Sequence, residues 1–128
     1  MPATVNGRFA LNHMVAPTLD VAAFFDLAVG LGTRSVEIRN DIKGVEILTG
    51  RGAADIAALA AAKKITILSI NALQRFNDWS SARAMEAEQL AAFATACGAK
   101  ALVLCPVNDT SYTPSAADKA QNLRTALK

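Results

Sequence analysis

The chain has 128 residues, the length of one domain and enough to bury a core. Apolar residues make up 52% and charged residues 19%, which excludes a disordered chain and favours a packed α/β domain. The formal net charge is +2 and only Lys63–Lys64 are adjacent among the scattered cations, which excludes a basic nucleic-acid-binding stripe.

In chain order, Phe9–Asn12 reads as a first strand, closed by His13-Met14-Val15. Pro17-Thr18 then introduces an amphipathic helix from Leu19 to Leu31. Leu19, Ala22, Ala23, Phe24, Leu27, Ala28 and Leu31 recur there at helical spacing, and Gly30 and Gly32 end the run. Ser35–Arg39 is the second strand. The segment from Asn40 through Gly52 is a long loop of the kind that more often serves function than accident. Ala53–Lys64 follows as the second helix and Ile65–Asn71 as the third strand. Gln74 to Trp79 forms a second irregular loop. Ser80 or Ser81 caps a third helix to about Cys97, with Leu90, Phe93, Ala94 and Cys97 as its buried stripe. Gly98 stops it, and Ala101–Pro106 is the fourth strand. Thr113-Pro114, or alternatively Ser115 with Asp118, opens a fourth helix whose apolar face is Leu123 and Leu127. That helix meets no stop signal, so the sequence reads as cut after its fourth βα unit.

Cys97 and Cys105 read as reduced core thiols, and with His13 as the sole histidine they make no zinc signature. The N-terminus lacks the charged and apolar regions of a signal peptide, and no apolar run is long enough to span a bilayer. The expectation is a cytoplasmic protein with no membrane and no nucleic-acid partner.

Strands alternating with helices demand parallel pairing through right-handed crossovers. Two of the strands end in alternating polar residues: Glu37 and Arg39 fall on one face, Val36 and Ile38 on the other, and Ser69 and Asn71 likewise share a face. A doubly wound sheet covers both faces with helices, so such polar groups would be buried. A β/α barrel covers only one, and its lumen face ends in the mouth where chemistry is done. The pattern therefore predicts an α/β fold, a (βα)4 half of a (β/α)8 barrel forming one domain over residues 1–128. A complete flavodoxin-like binding domain is the alternative that the length allows. Half a barrel leaves two strand edges open, which predicts self-association or pairing with a C-terminal half-barrel.

The run Val36-Glu37-Ile38-Arg39-Asn40-Asp41 resembles the second-strand motif of the sugar isomerase/epimerase superfamily with xylose-isomerase-like barrels. Leu68-Ser69-Ile70-Asn71-Ala72-Leu73, with Phe76-Asn77 after it, resembles the third-strand motif of the keto-inositol (inosose) isomerases. The run from Cys97 to Pro106 is similar to the junction into their fourth strand. The resemblance covers essentially the whole chain, against the N-terminal half of a family barrel of about 250 residues. It implies carbohydrate metabolism, inositol catabolism in particular: a metal-assisted proton transfer between adjacent carbons of a keto-sugar or cyclitol. Keto-inositol dehydration and sugar epimerisation are the neighbouring alternatives. It also implies a divalent metal (Mn, Mg, Co or Zn) whose carboxylate and histidine ligands lie on later strands, so no residue of this chain is assigned to the metal. His13 stands beside Asn12 where the family often has an acidic residue.

The candidate site residues each carry two readings. Glu37 and Arg39 suit a general base and a hydroxyl-holding cation, or a lumen ion pair serving the fold. Asn71 and Asn12 fit polyol hydroxyls, or cap the loops that follow them. His13 is a candidate for proton transfer or a hydrogen-bonded structural residue. Phe76 and Trp79 either close over a sugar ring or pack their loop onto the barrel rim. Asn108, followed by Asp109, either reaches the pocket or starts a turn.

Overall fold

The structure, a computed structural model, describes residues 9–128. Its elements are β1 (Leu11–Asn12), α1 (Val21–Gly30), β2 (Ser35–Arg39), α2 (Ala53–Lys63), β3 (Thr66–Gln74), α3 (Ser81–Cys97), β4 (Ala101–Cys105) and α4 (Ala116–Ala126). One turn of 3-10 helix, His13–Val15, follows β1. Each strand pairs in parallel with the next, giving the sheet order β1-β2-β3-β4. Successive right-handed crossovers that never reverse direction place every connecting helix on the same face. A flavodoxin-like sheet must reverse its order at a switch point. This sheet does not, so the chain has the half-barrel arrangement and the doubly wound alternative is corrected.

The helix-covered face holds the core. Val36 and Ile38 of β2 and Ile67 and Ile70 of β3 meet Phe24, Phe25 and Ala28 of α1, Ile56 and Ala60 of α2, and Leu90, Ala94 and Cys97 of α3. The helix starts follow the chemistry of their caps. Asp20 accepts from the Ala23 amide at 2.8 Å, and Ser80 accepts from the Arg83 amide at 3.1 Å. Each satisfies a donor that the first turn leaves orphaned. Gly98 ends α3 with φ of 80°, in the left-handed region that favours glycine.

Several boundaries differ from expectation. The first strand is Leu11–Asn12 alone, because the chain turns into the 3-10 helix at His13. Helix α1 buries Val21 and Phe25 beside Phe24 and Ala28, while Leu31 lies past its end and is 53% exposed. Strand β3 runs to Gln74 because β4 continues alongside it, pairing Leu73 with Leu104 and Gln74 with Cys105. Of the two starts considered for α4, Ser115 caps the helix, its Oγ accepting from the Asp118 amide at 3.1 Å. The β2–α2 loop is pinned rather than loose: Ile42 and Ile47 are buried and the Asn40 side chain accepts from the Leu48 amide at 3.0 Å.

Burial is uneven along the chain. No residue of β4 or α4 is fully buried, and Leu123 and Leu127 remain exposed. Among the described residues, the β1 and β4 edges carry backbone groups without a strand partner on one side. No described helix is long and apolar enough to cross a membrane.

Ile38→Ala, at a fully buried position in the core cluster, is expected to lower stability by about 2–5 kcal/mol in urea unfolding. Leu123→Ala on the uncovered α4 is expected to cost about 0.5 kcal/mol or less. Equal losses at the two positions would contradict this placement of the core.

Candidate functional site

Strand register assembles the site. Asn12 of β1 stands opposite Glu37 of β2, and Glu37 opposite Ser69 of β3; two residues further on, Arg39 stands opposite Asn71. Side chains paired across parallel strands share a face, and this face is the one turned away from Val36, Ile38 and Ile70. It is therefore the lumen side, at the C-terminal ends of the strands. The Asn71–Ala72 peptide bond there is cis.

The polar side chains are joined. Asn12 Nδ2 donates to Glu37 Oε2 at 3.1 Å and Ser69 Oγ donates to Glu37 Oε1 at 2.9 Å. Asn71 Nδ2 donates in turn to Ser69 Oγ at 2.8 Å. Each oxygen of the Glu37 carboxylate thus receives one neutral donor from a neighbouring strand and keeps further acceptor capacity. Asn12 Oδ1 accepts from the Met14 amide at 2.9 Å, which fixes the orientation of its amide group.

Arg39 extends this network towards the rim. Its Nε and Nη2 donate to the two oxygens of Asp41, each at 2.6 Å, and its Nη1 donates to Asn12 Oδ1 at 3.3 Å. Gln74, at the end of β3, donates to Asp41 Oδ2 at 3.0 Å. The bond to Asp41 raises the Arg39 guanidinium above its ordinary value, so its charge is permanent. Burial pushes the Asp41 carboxyl up, but the bonds from Arg39 and Gln74 outweigh it and hold the group below the usual carboxylate value.

Glu37 and Arg39 share a face with Ser69 and Asn71, as strand alternation predicts, and Asn12 joins them while its side chain also caps the 3-10 turn that follows it. The other candidates are placed elsewhere. His13 is fully buried beneath α1, stacked on Phe24 with ring centroids 4.4 Å apart. Its Nε2 donates to the Leu19 carbonyl at 2.8 Å, which assigns the proton to Nε2 and leaves Nδ1 without a partner among the described residues. Burial outweighs that bond and lowers the imidazole below its ordinary value, keeping the ring neutral. A buried ring on the helix side cannot reach a ligand in the lumen. Phe76 and Trp79 pack against the hydrophobic core. Asn108 is exposed, and its neighbours are drawn to the β3–α3 loop: the Val107 amide donates to Asn77 at 2.8 Å and Asp109 pairs with Arg75 at 2.8 Å.

Asp41 and Gln74 belong to the site although strand alternation did not single them out. Asp41 lies just past β2, where alternation no longer applies, and Gln74 becomes a strand residue only because β3 continues. An acidic residue two positions after a strand-end arginine was the available signal. Two concavities lie off the site. One of about 440 Å³ opens between α1 and the β2–α2 loop, beside Asp20, Glu46 and Arg51. Another of about 790 Å³ lies between that loop and α3, beside Leu48, Glu86 and Phe93.

The described residues do not fit a metal cage. No three histidine, cysteine, aspartate or glutamate side chains among them come together for one, and Asp41 is taken by Arg39 and Gln74.

No family model matches the chain, and no curated protein matches it. Among solved structures it is similar to a xylose isomerase domain-containing protein from Salmonella typhimurium LT2, at 32% identity with a TM-score of 0.80. The likeness covers 92% of this chain but 43% of that protein, so the chain spans less than half of its length. The four parallel βα units are thus an α/β fold matching half of a TIM barrel of the xylose-isomerase-like kind.

Two outcomes follow from the electrostatics. Burial holds the folded-state His13 imidazole below its ordinary value of 6.5, so its contribution to stability is complete above pH 6.5 and declines as pH falls through the folded value. Unfolding free energies measured across that range are expected to fall on acidification in the wild type, and less steeply in His13→Gln. Ser69→Ala removes one donor to Glu37 and one acceptor for Asn71, and is expected to cost about 1–3 kcal/mol in urea unfolding. A neutral effect would mean that the network is not formed in solution.

Proposed function

We propose that this chain forms the substrate-orienting half of a cytoplasmic sugar or cyclitol isomerase of the sugar isomerase/epimerase superfamily, with keto-inositols as the favoured substrates. The observation carrying this reading is the hydrogen-bonded row Asn12–Glu37–Ser69–Asn71 with Arg39 beside it, at the strand ends of a half-barrel like that of a xylose isomerase domain-containing protein.

A keto-polyol presents hydroxyls that both donate and accept. The free acceptor sites of Glu37 suit donating hydroxyls, and the amides of Asn12 and Asn71 suit either kind. Arg39 keeps one unassigned N–H on each of Nη1 and Nη2, and these can hold a hydroxyl or carbonyl oxygen. Isomerisation moves a proton between adjacent carbons through an enediol, so it needs a base held rigidly near the C–H and donors near the developing oxyanion. Glu37, fixed from two neighbouring strands, is the candidate base of this half; Arg39 and Asn71 are its orienting donors. The divalent metal that the family resemblance implies would take its ligands from later strands of a full barrel; among the described residues no three candidate ligands come together.

The open β1 and β4 edges support a second element of the proposal: the chain associates with itself or with a complementary half-barrel, and alone does not turn substrate over. In light scattering the isolated chain is expected to be larger than a monomer. A stable monomer with full isomerase turnover would overturn this element.

For the site itself, amide chemical shifts are expected to move at Asn12, Ser69 and Asn71 when myo-inositol or its 2-keto derivative is titrated into the chain. Arg39→Ala should weaken the response about tenfold or more, corresponding to about 1.4 kcal/mol. Shifts elsewhere, with none at these positions, would reject the assignment.

A further inference from the structure

An arginine fork at the rim of a polar mouth is, by default, a receptor for phosphate or carboxylate, because its paired N–H groups match two oxygens at once. In this chain that edge of Arg39 is already occupied by Asp41, through Nε and Nη2 at 2.6 Å each. Both side chains are mostly withdrawn from water, at 16% and 20% exposure, so the pair is shielded from competing ions more than a surface bridge would be. Gln74 donates to Asp41 from the neighbouring strand at 3.0 Å and holds the carboxylate in its bidentate position.

The other arginine in these strand-end networks is matched in the same way. Arg75 bridges Asp78 at 3.0 Å and Asp109 at 2.8 Å. Glu37, by contrast, receives only the neutral donors Asn12 and Ser69. Two arginines therefore face four carboxylates across these networks, and the unmatched charge is negative. An anionic substituent approaching this rim would meet a neutralised guanidinium and the bare charge of Glu37. A hydroxyl would meet neither obstacle.

We infer that Asp41 is a specificity-determining residue: by capping Arg39 it makes this half of the mouth accept neutral polyhydroxy ligands and refuse their phosphorylated or carboxylated counterparts. The inference rests on the functional reading above for the place of the site, and it adds the charge class of the ligand and the residue that sets it.

The test uses the full chain at neutral pH, with the Arg39 Nε–H resonance as reporter and three probes: inorganic phosphate, glucose 6-phosphate and myo-inositol. In the wild type, neither phosphate probe should shift the reporter saturably. In Asp41→Asn, which keeps the shape of the side chain and removes its charge, both should shift it, with at least tenfold tighter apparent binding than in the wild type. The gain should vanish in Asp41→Asn combined with Arg39→Gln, read at the Gln74 and Asn12 side-chain amides. Saturable phosphate binding at Arg39 of the wild type would overturn the inference, and this arm stands even if Asp41→Asn fails to fold. An Asp41→Asn variant that folds and stays indifferent to phosphate would overturn it as well. Failure of myo-inositol to bind the wild type counts against the functional reading alone, because the phosphate arms report on Arg39 whatever the substrate.

Discussion

The constraint on which the rest depends is that helices cover one face of this sheet and leave the other open. Strands taken in sequential order, each linked to the next by a right-handed crossover, place their helices on a common side. Val36, Ile38, Ile67 and Ile70 must then be apolar, because they face α1, α2 and α3. The same backbone turns Glu37, Arg39, Ser69 and Asn71 the other way. Buried under a second helix layer, those groups would each need a full set of partners. On an open concave face they can be half-satisfied by one another and keep capacity for a ligand. One topological fact therefore produces both the core and the polar rim.

The rim is built in two tiers with different chemistry. The deeper tier, Asn12–Glu37–Ser69–Asn71, is a carboxylate served by neutral donors from both adjacent strands. The outer tier, Arg39–Asp41–Gln74, is an ion pair whose members come from the end of β2, the loop after it and the end of β3. Asn12 joins them, donating to Glu37 through its nitrogen and accepting from Arg39 and the Met14 amide through its oxygen. Its orientation is thereby settled by three partners. A network spanning three strands is also a device for keeping register, since a slip of one residue would turn Glu37 into the core.

Much of this was legible in the order of residues, where local periodicity and tertiary position agree. The alternation in Ser35–Arg39 separates core from rim correctly, and Ser80 and Gly98 mark the ends of α3. Legibility fails where position depends on a neighbour in space. His13 follows Asn12 directly, and only the turn that begins at that residue decides that its ring goes under α1 to Phe24. Gln74 is drawn into β3 by Cys105 across the sheet, a pairing that no local pattern encodes. Val21 and Phe25 join the buried stripe of α1, whereas Leu31 falls outside it because the helix ends at Gly30. Phe76 and Trp79 are aromatic in either role, and residue type alone does not distinguish a lid from a rim that packs inward.

The bareness of the fourth unit has a consequence for how the molecule breathes. Amide hydrogens are released wherever a segment can open without exposing buried side chains, and α4 has none to expose. Opening should therefore begin at α4 and spread through β4, with the sheet centred on β2 and β3 the last to yield its protons to solvent. The Arg75–Asp109 bridge, the Val107 amide bond to Asn77 and the Tyr112 hydroxyl, which donates to the Asn77 carbonyl at 2.8 Å, are clasps that such opening must undo.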